Sequence, residues 1–163
     1  YEIPLRLVGS EMCIRDSIMA HRFYNINLVG DMANKEYIVR NREWLEAKAR
    51  EEGVHPLSKG VYYKIMASGD KTGRQPSARS IVSVHYTGRT IDGATFDTSE
   101  GGCPLAMRLN ELIDGWIVAL QQMHVGDKWE VYIPAEMGYG KFSQPGIPGG
   151  STLIFEIELL GVA

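Results

Sequence analysis

Cysteine is scarce: Cys13 and Cys103 are the only two in the chain, and neither stands at metal-ligand spacing from a histidine or another cysteine. That argues against a zinc site and a disulfide framework, and the expected state is two incidental thiols. Neither a metal nor a cofactor is expected. Basic residues are not in surplus either, with 17 Lys and Arg against 20 Asp and Glu and a formal charge of -3. Nucleic-acid binders concentrate Lys and Arg on one face, so that class is set aside. No run of about eighteen apolar residues occurs, which argues against a membrane span. The loop Ser68-Gly69-Asp70-Lys71-Thr72-Gly73 lacks the Gly-Lys-Ser/Thr ending of a phosphate cradle, so a nucleotide site is unsupported.

What is present suits one ordinary domain with a modest extension: 163 residues, 44% of them hydrophobic. In residues 1–17, Glu2, Arg6, Glu11, Arg15 and Asp16 interrupt every apolar run, whereas a secretory signal needs an unbroken one. This stretch resembles translated adaptor or vector read-through. The expected division is a non-native leader over 1–31, a helical arm and linker over 32–59, and a folded domain over 60–163. A native start at Met32, with Met19 as the alternative, implies a cytoplasmic protein.

Residues 34–52 are rich in helix formers, with Asn34 as a plausible N-cap and Gly53 and Pro56 as stop signals. This helix either lies against its own domain or contacts a partner through Trp44 and Leu45. Strands follow. Val61, Tyr63 and Ile65 alternate, as do Val82, Val84 and Tyr86; a turn at Asp92-Gly93 then returns the chain through Phe96 and Asp97. Leu105, Met107 and Leu109 lead into a helix predicted over 110–123, where Leu112, Ile113, Trp116, Leu120 and Met123 recur at helical spacing. Trp129, Val131 and Ile133 make another strand, and Leu153, Phe155, Ile157 and Leu159 the last. Between them, residues 135–150 form a glycine- and proline-rich loop long enough to suggest function. The order predicts an α+β fold, an antiparallel sheet curled around one short helix with Trp116 between them.

Val84-His85-Tyr86-Thr87-Gly88, Phe96-Asp97-Thr98-Ser99, Leu112-Ile113-x-Gly115-Trp116, Met123-x-Val125-Gly126, Tyr139-Gly140, Pro145-Gly146-Ile147-Pro148 and the segment Ser151 to Leu160 together resemble the FKBP-type peptidyl-prolyl cis/trans isomerases. The resemblance runs from about Gly60 to Val162, and residues 34–60 are similar to the end of the helical arm in the bacterial macrophage-infectivity-potentiator-like branch. It implies an enzyme of protein folding. The implied catalytic set is Tyr86, Phe96, Asp97, Ile113, Trp116, Tyr139 and Phe155, with Leu105, Leu112, Gly138, Gln144 and Ile147 binding substrate. Implied partners are proline-containing polypeptides and macrolides such as rapamycin or tacrolimus, and the implied state is a monomer or a weak homodimer through the arm. Three positions depart from the family pattern: Leu105 stands where many relatives have Phe, Glu100-Gly101-Gly102 where many have an Arg facing the pocket Asp, and Gln144 where some have His. The alternative is a chaperone or binding module of the same fold with little turnover.

His85 neighbours Tyr86 but points to the other side of the strand, and is read as structural. Trp129 is read as packing, and Glu156 and Glu158 as a solvated face.

Overall fold

The computed structural model describes residues 35–163. The leader over 1–31 and the cap at Asn34 lie outside the described residues. Helix α1 spans Lys35–Ala49, followed by strands β1 (Val54–Pro56), β2 (Tyr62–Ala67), β3 (Ile81–Arg89), β4 (Thr95–Thr98) and β5 (Leu105–Arg108). Helix α2 (Asp114–Leu120), β6 (Lys128–Ile133) and β7 (Leu153–Val162) complete the domain. Every strand pairing is antiparallel, in the order β1-β2-β6-β7-β3-β4, with β5 also on β3.

β3 carries two strands in series on one edge. Val84 opposes Leu105 of β5, while Thr87 opposes Thr98 of β4. The chain therefore leaves β4, turns through Gly101 and Gly102, and rejoins the same edge further along. That turn exposes Glu100-Gly101-Gly102. Cys103 lies just beyond it and is disulfide-bonded, which corrects the expectation of an incidental thiol at this position.

The alternating residues face as their periodicity requires: Val82, Val84 and Tyr86 of β3 and Leu153, Phe155, Ile157 and Leu159 of β7 are all buried. They pack on α2, whose Trp116, Ala119 and Leu120 are fully buried. The predicted helix over 110–123 is shorter than its pattern. Leu109–Glu111 make a 3-10 turn, Leu112 and Ile113 are extended with ψ of 171° and 153°, and only Asp114–Leu120 is α-helical. Leu112, Ile113 and Met123 are nonetheless 0% exposed. The stripe reported burial correctly, but an extended entry and a tightened exit deliver those side chains to the same core.

α1 lies against its own domain. Leu45 is buried, and the Trp44 ring meets Tyr132 edge-on at 6.0 Å. Burial and a bond donated to Glu130 hold the Tyr132 hydroxyl above the usual tyrosine range, so it stays neutral at working pH. Trp129 stacks on Tyr63 at 4.0 Å, the packing role expected of it.

Loop 69–73 is structural. Asp127, 5% exposed, accepts the amides of Gly69 (2.7 Å) and His124 (2.8 Å) and ties the loop to the turn after α2.

Candidate active site

The centre of the site is a set of rings at right angles. Phe155 of β7 meets Trp116 of α2 at 5.2 Å and 88°, and Phe96 of β4 at 5.5 Å and 89°. Tyr86 meets Trp116 at 5.2 Å and 80°. Edge-to-face contact directs positive ring edges at negative faces, a preferred geometry that also fixes the walls. Phe155 and Trp116 are both fully buried, Tyr86 nearly so, and Phe96 half-buried at the rim.

Gly88 lets the rings meet. It pairs with Phe155 on one side and Asp97 on the other. A β-carbon there would lie 2.6 Å from Phe96 and 2.7 Å from Phe155, closer than real contacts allow.

Polar groups ring the apolar centre. The Tyr86 hydroxyl donates to Asp97 Oδ2 at 2.7 Å, joining the two residues that the hairpin brings together. Ser99, which the motif included without a role, holds this corner. Its Oγ accepts the Tyr86 amide at 2.9 Å and its own N–H donates to the Tyr86 carbonyl at 2.9 Å. His85 Nδ1 lies 2.9 Å from the same Oγ, which gives that histidine the structural part expected of it. A serine just past a strand end is a weak signal, because the hydroxyl could equally have bonded its own turn.

Tyr86→Phe would remove the hydroxyl while keeping the ring. The expected result is a loss of severalfold in kcat/KM with nearly unchanged melting, since Asp97 is half-exposed and water replaces most of a bond whose net worth is about 1 kcal/mol. Activity and thermal unfolding of one preparation check this; an unchanged kcat/KM would remove the Tyr86–Asp97 bond from the site's working parts.

Ile113 precedes α2, and its N–H meets no acceptor among the described residues. Leu105 and Leu112 are buried beside the cluster. The long loop covers one side and is ordered by its own bonds. Gln144 and Ile147 exchange hydrogen bonds of 2.8 and 2.9 Å around Pro145-Gly146, where Gly146 has φ of 77° as the second central residue of such a turn requires. Gly150 N–H donates to the Gly140 carbonyl at 2.8 Å. Ile147 is thereby buried and Tyr139 packs on the core half-buried, with Gly138 beside it and Gln144 half-buried at the rim. The structure thus gathers Tyr86, Phe96, Asp97, Trp116 and Phe155 into one cluster, with Ile113 at the helix entry and Tyr139, Gln144 and Ile147 on the loop. Among the described residues no group of three His, Cys, Asp or Glu side chains is placed to hold a metal, and no helix is long and apolar enough to cross a membrane.

Residues 72–160 match the family model described as FKBP-type peptidyl-prolyl cis-trans isomerase. The chain is similar to the FKBP-type peptidyl-prolyl cis-trans isomerase FkpA of Escherichia coli strain K12, at 41% identity over 99% of this chain and 56% of that protein. It is 41% identical to the outer membrane protein MIP of Legionella longbeachae, over 73% of this chain and 51% of the relative. A crystal structure of a peptidyl-prolyl cis-trans isomerase from Pseudomonas syringae pv. tomato superposes with a TM-score of 0.74 at 34% identity, covering 82% of this chain and 98% of that one. The chain spans about half the length of the curated relatives it matches, 46%, 58% and 56% for three of them.

Proposed function

We propose that this chain, which belongs to the FKBP-type peptidyl-prolyl cis-trans isomerase family, accelerates rotation about X-Pro bonds in proline-containing polypeptides during protein folding. The observation that carries this reading is the perpendicular packing of Tyr86, Phe96, Trp116 and Phe155 beside the Tyr86–Asp97 hydrogen bond.

Rotation must break amide resonance, at a barrier of roughly 18–20 kcal/mol. No covalent bond is made or lost, so the site needs neither nucleophile nor metal. It must bind the twisted amide better than the planar one, and each tenfold of acceleration needs about 1.4 kcal/mol of that preference. Twisting removes charge separation between nitrogen and oxygen, so a dry aromatic cup favours the twisted form. In this reading the proline ring enters beside Phe96, the partly exposed ring of the four, and must displace the cover over the buried Trp116 and Phe155 to seat on them. The Ile113 N–H and the Tyr139 side chain hold the flanking peptide, while Asp97 orients Tyr86. Leu105 and Leu112 back the pocket, and Gly138, Gln144 and Ile147 shape its loop side.

The second reading, a chaperone or binding module with weak turnover, draws on Leu105 and on the exposed Glu100-Gly101-Gly102 turn, two places where the chain departs from the family pattern. Exchange of a Leu-Pro or Phe-Pro tetrapeptide, with and without rapamycin, separates them. Fast exchange abolished by the macrolide supports the isomerase; macrolide binding without exchange supports the binding module; absence of both binding and exchange in folded protein overturns the residue assignment.

A monomer is the proposed state, supported by α1 burying Leu45 and Asn41 against its own domain. The cytoplasm is the proposed compartment, although the Legionella longbeachae relative is named an outer membrane protein. A reducing compartment would open the disulfide that Cys103 forms in this structure, so the proposal predicts Cys103 reduced in the cell. Thiol trapping on fractionated cells checks this, and oxidised Cys103 in a periplasmic fraction would overturn it.

A further inference from the structure

α1 carries charges on most sides and buries only Asn41 and Leu45. A buried asparagine on a short, otherwise polar helix needs partners, because an unpaired amide in a dry site is costly. Asn41 has them at both ends. Its Nδ2 donates to the Tyr37 carbonyl at 2.8 Å, and its Oδ1 accepts the Thr152 amide at 2.9 Å, 111 residues away. Thr152 Oγ1 donates to the Asn41 carbonyl at 3.3 Å.

A second connection runs one turn away. Ser151 Oγ has a single hydrogen, donated to the Pro148 carbonyl at 2.5 Å. The contact of 2.8 Å between Tyr37 and Ser151 is therefore donated by the Tyr37 hydroxyl. A polar chain Tyr37–Ser151–Pro148 thus ends at the residue after Ile147, on the loop that covers the aromatic cluster. Gly150, next to Ser151, closes that loop on Gly140, the residue after Tyr139.

Apolar packing does not complete this seam. A cleft of about 50 Å³, open to solvent on one side, remains between helix and loop, beside Asn41, Leu45, Ala135, Gly150 and Thr152. Hydrogen bonds supply the register instead. A helix of 15 residues is marginal by itself in water, so its order and that of the loop base are coupled through these contacts.

We propose that the face of α1 bearing Tyr37 and Asn41 is a positioning element for the 138–152 loop, and that Asn41 is a positioning residue setting the fraction of molecules whose loop is ready for a proline-containing peptide. The turnover part of this inference rests on the isomerase reading. When only a fraction of molecules is competent, the apparent affinity falls by that fraction while bound molecules react as before. Loosening the seam should therefore act on KM.

Two variants test it, Asn41→Ala and, should that one fold poorly, Tyr37→Phe, which removes a single hydroxyl from a half-buried site. In Asn41→Ala, amide hydrogen exchange at Gly150 and Thr152 should quicken by about tenfold or more, while β3 and β7 amides keep their protection. KM for a Phe-Pro tetrapeptide should rise about threefold to tenfold, with kcat within a factor of about two. Tyr37→Phe should move both in the same direction by less. Unchanged exchange at Gly150 and Thr152 would overturn the proposal, and so would quickened exchange with unchanged KM, since the seam would then be structural only. A wild-type protein without turnover would sink the isomerase reading by itself, while the exchange comparison would still decide whether Asn41 orders the loop.

Discussion

Gly88→Ala is expected to remove most of the protein's activity while leaving it folded. The added methyl would sit 2.6 Å from the Phe96 ring and 2.7 Å from the Phe155 ring. Phe155 cannot yield: it is 0% exposed on a strand paired on both sides and wedged against Trp116. Phe96 can. It is half-buried on a four-residue strand at the sheet edge, beside the irregular pairing between Gly88 and Arg89. Expelling that ring relieves the overlap and removes one wall of the cup. Overpacking of this kind destabilises by about 1–3 kcal/mol, within what a domain of this size tolerates. Turnover should fall at least about tenfold, the equivalent of about 1.4 kcal/mol of transition-state preference. Urea unfolding and tetrapeptide exchange check the two halves. Adding Phe96→Leu should recover stability without recovering turnover, because two residues in direct contact are coupled. A single variant with native turnover would mean that the Phe96–Phe155 contact is not part of the working site.

The features that sequence reveals here are those encoded by local period. Val82, Val84 and Tyr86, like Leu153, Phe155 and Ile157, alternate and are buried, and β3 and β7 follow from that alone. Leu112 and Ile113 show the limit. They lie on a helical stripe and are buried, yet they are extended, since period reports which side chains reach the core and not the backbone that brings them there. The strand Val54–Pro56 is only three residues long and ends in proline at a sheet edge, too short for any alternation to register. Asn41 and Ser99 were not legible as fixing points. Each is polar, each would be assigned to solvent or a turn on composition, and each acquires its role from a backbone group that folding alone places beside it. The site divides in the same way. Its rings could be recognised by residue type in motif order, whereas the helix-to-loop seam depends on contacts 111 to 114 residues apart.

Trp116→Leu should separate catalysis from binding of unfolded chains. Trp116 is fully buried and touches both Tyr86 and Phe155 edge-on. Truncating so large a side chain to alanine usually costs about 3–5 kcal/mol. Leucine refills part of the volume, and a second effect offsets more of the loss. The indole Nε1 is buried with no hydrogen-bond partner among the described residues, so the native protein already bears the desolvation cost of an unmet donor, which leucine lacks. The net cost should be about 1–3 kcal/mol, leaving the variant folded at room temperature. Turnover has no such offset. The flat indole is the surface on which a proline ring would lie, and a branched aliphatic chain presents neither its area nor its quadrupole. Tetrapeptide exchange should therefore slow by at least about tenfold, while suppression of aggregation by an unfolded client lacking slow proline steps stays at the wild-type level. Parallel loss of both would place client binding in the same pocket and favour the binding-module reading. Retained turnover in a stably folded variant would remove Trp116 from the floor of the site, and with it the argument that a dry aromatic surface favours the twisted amide in this protein.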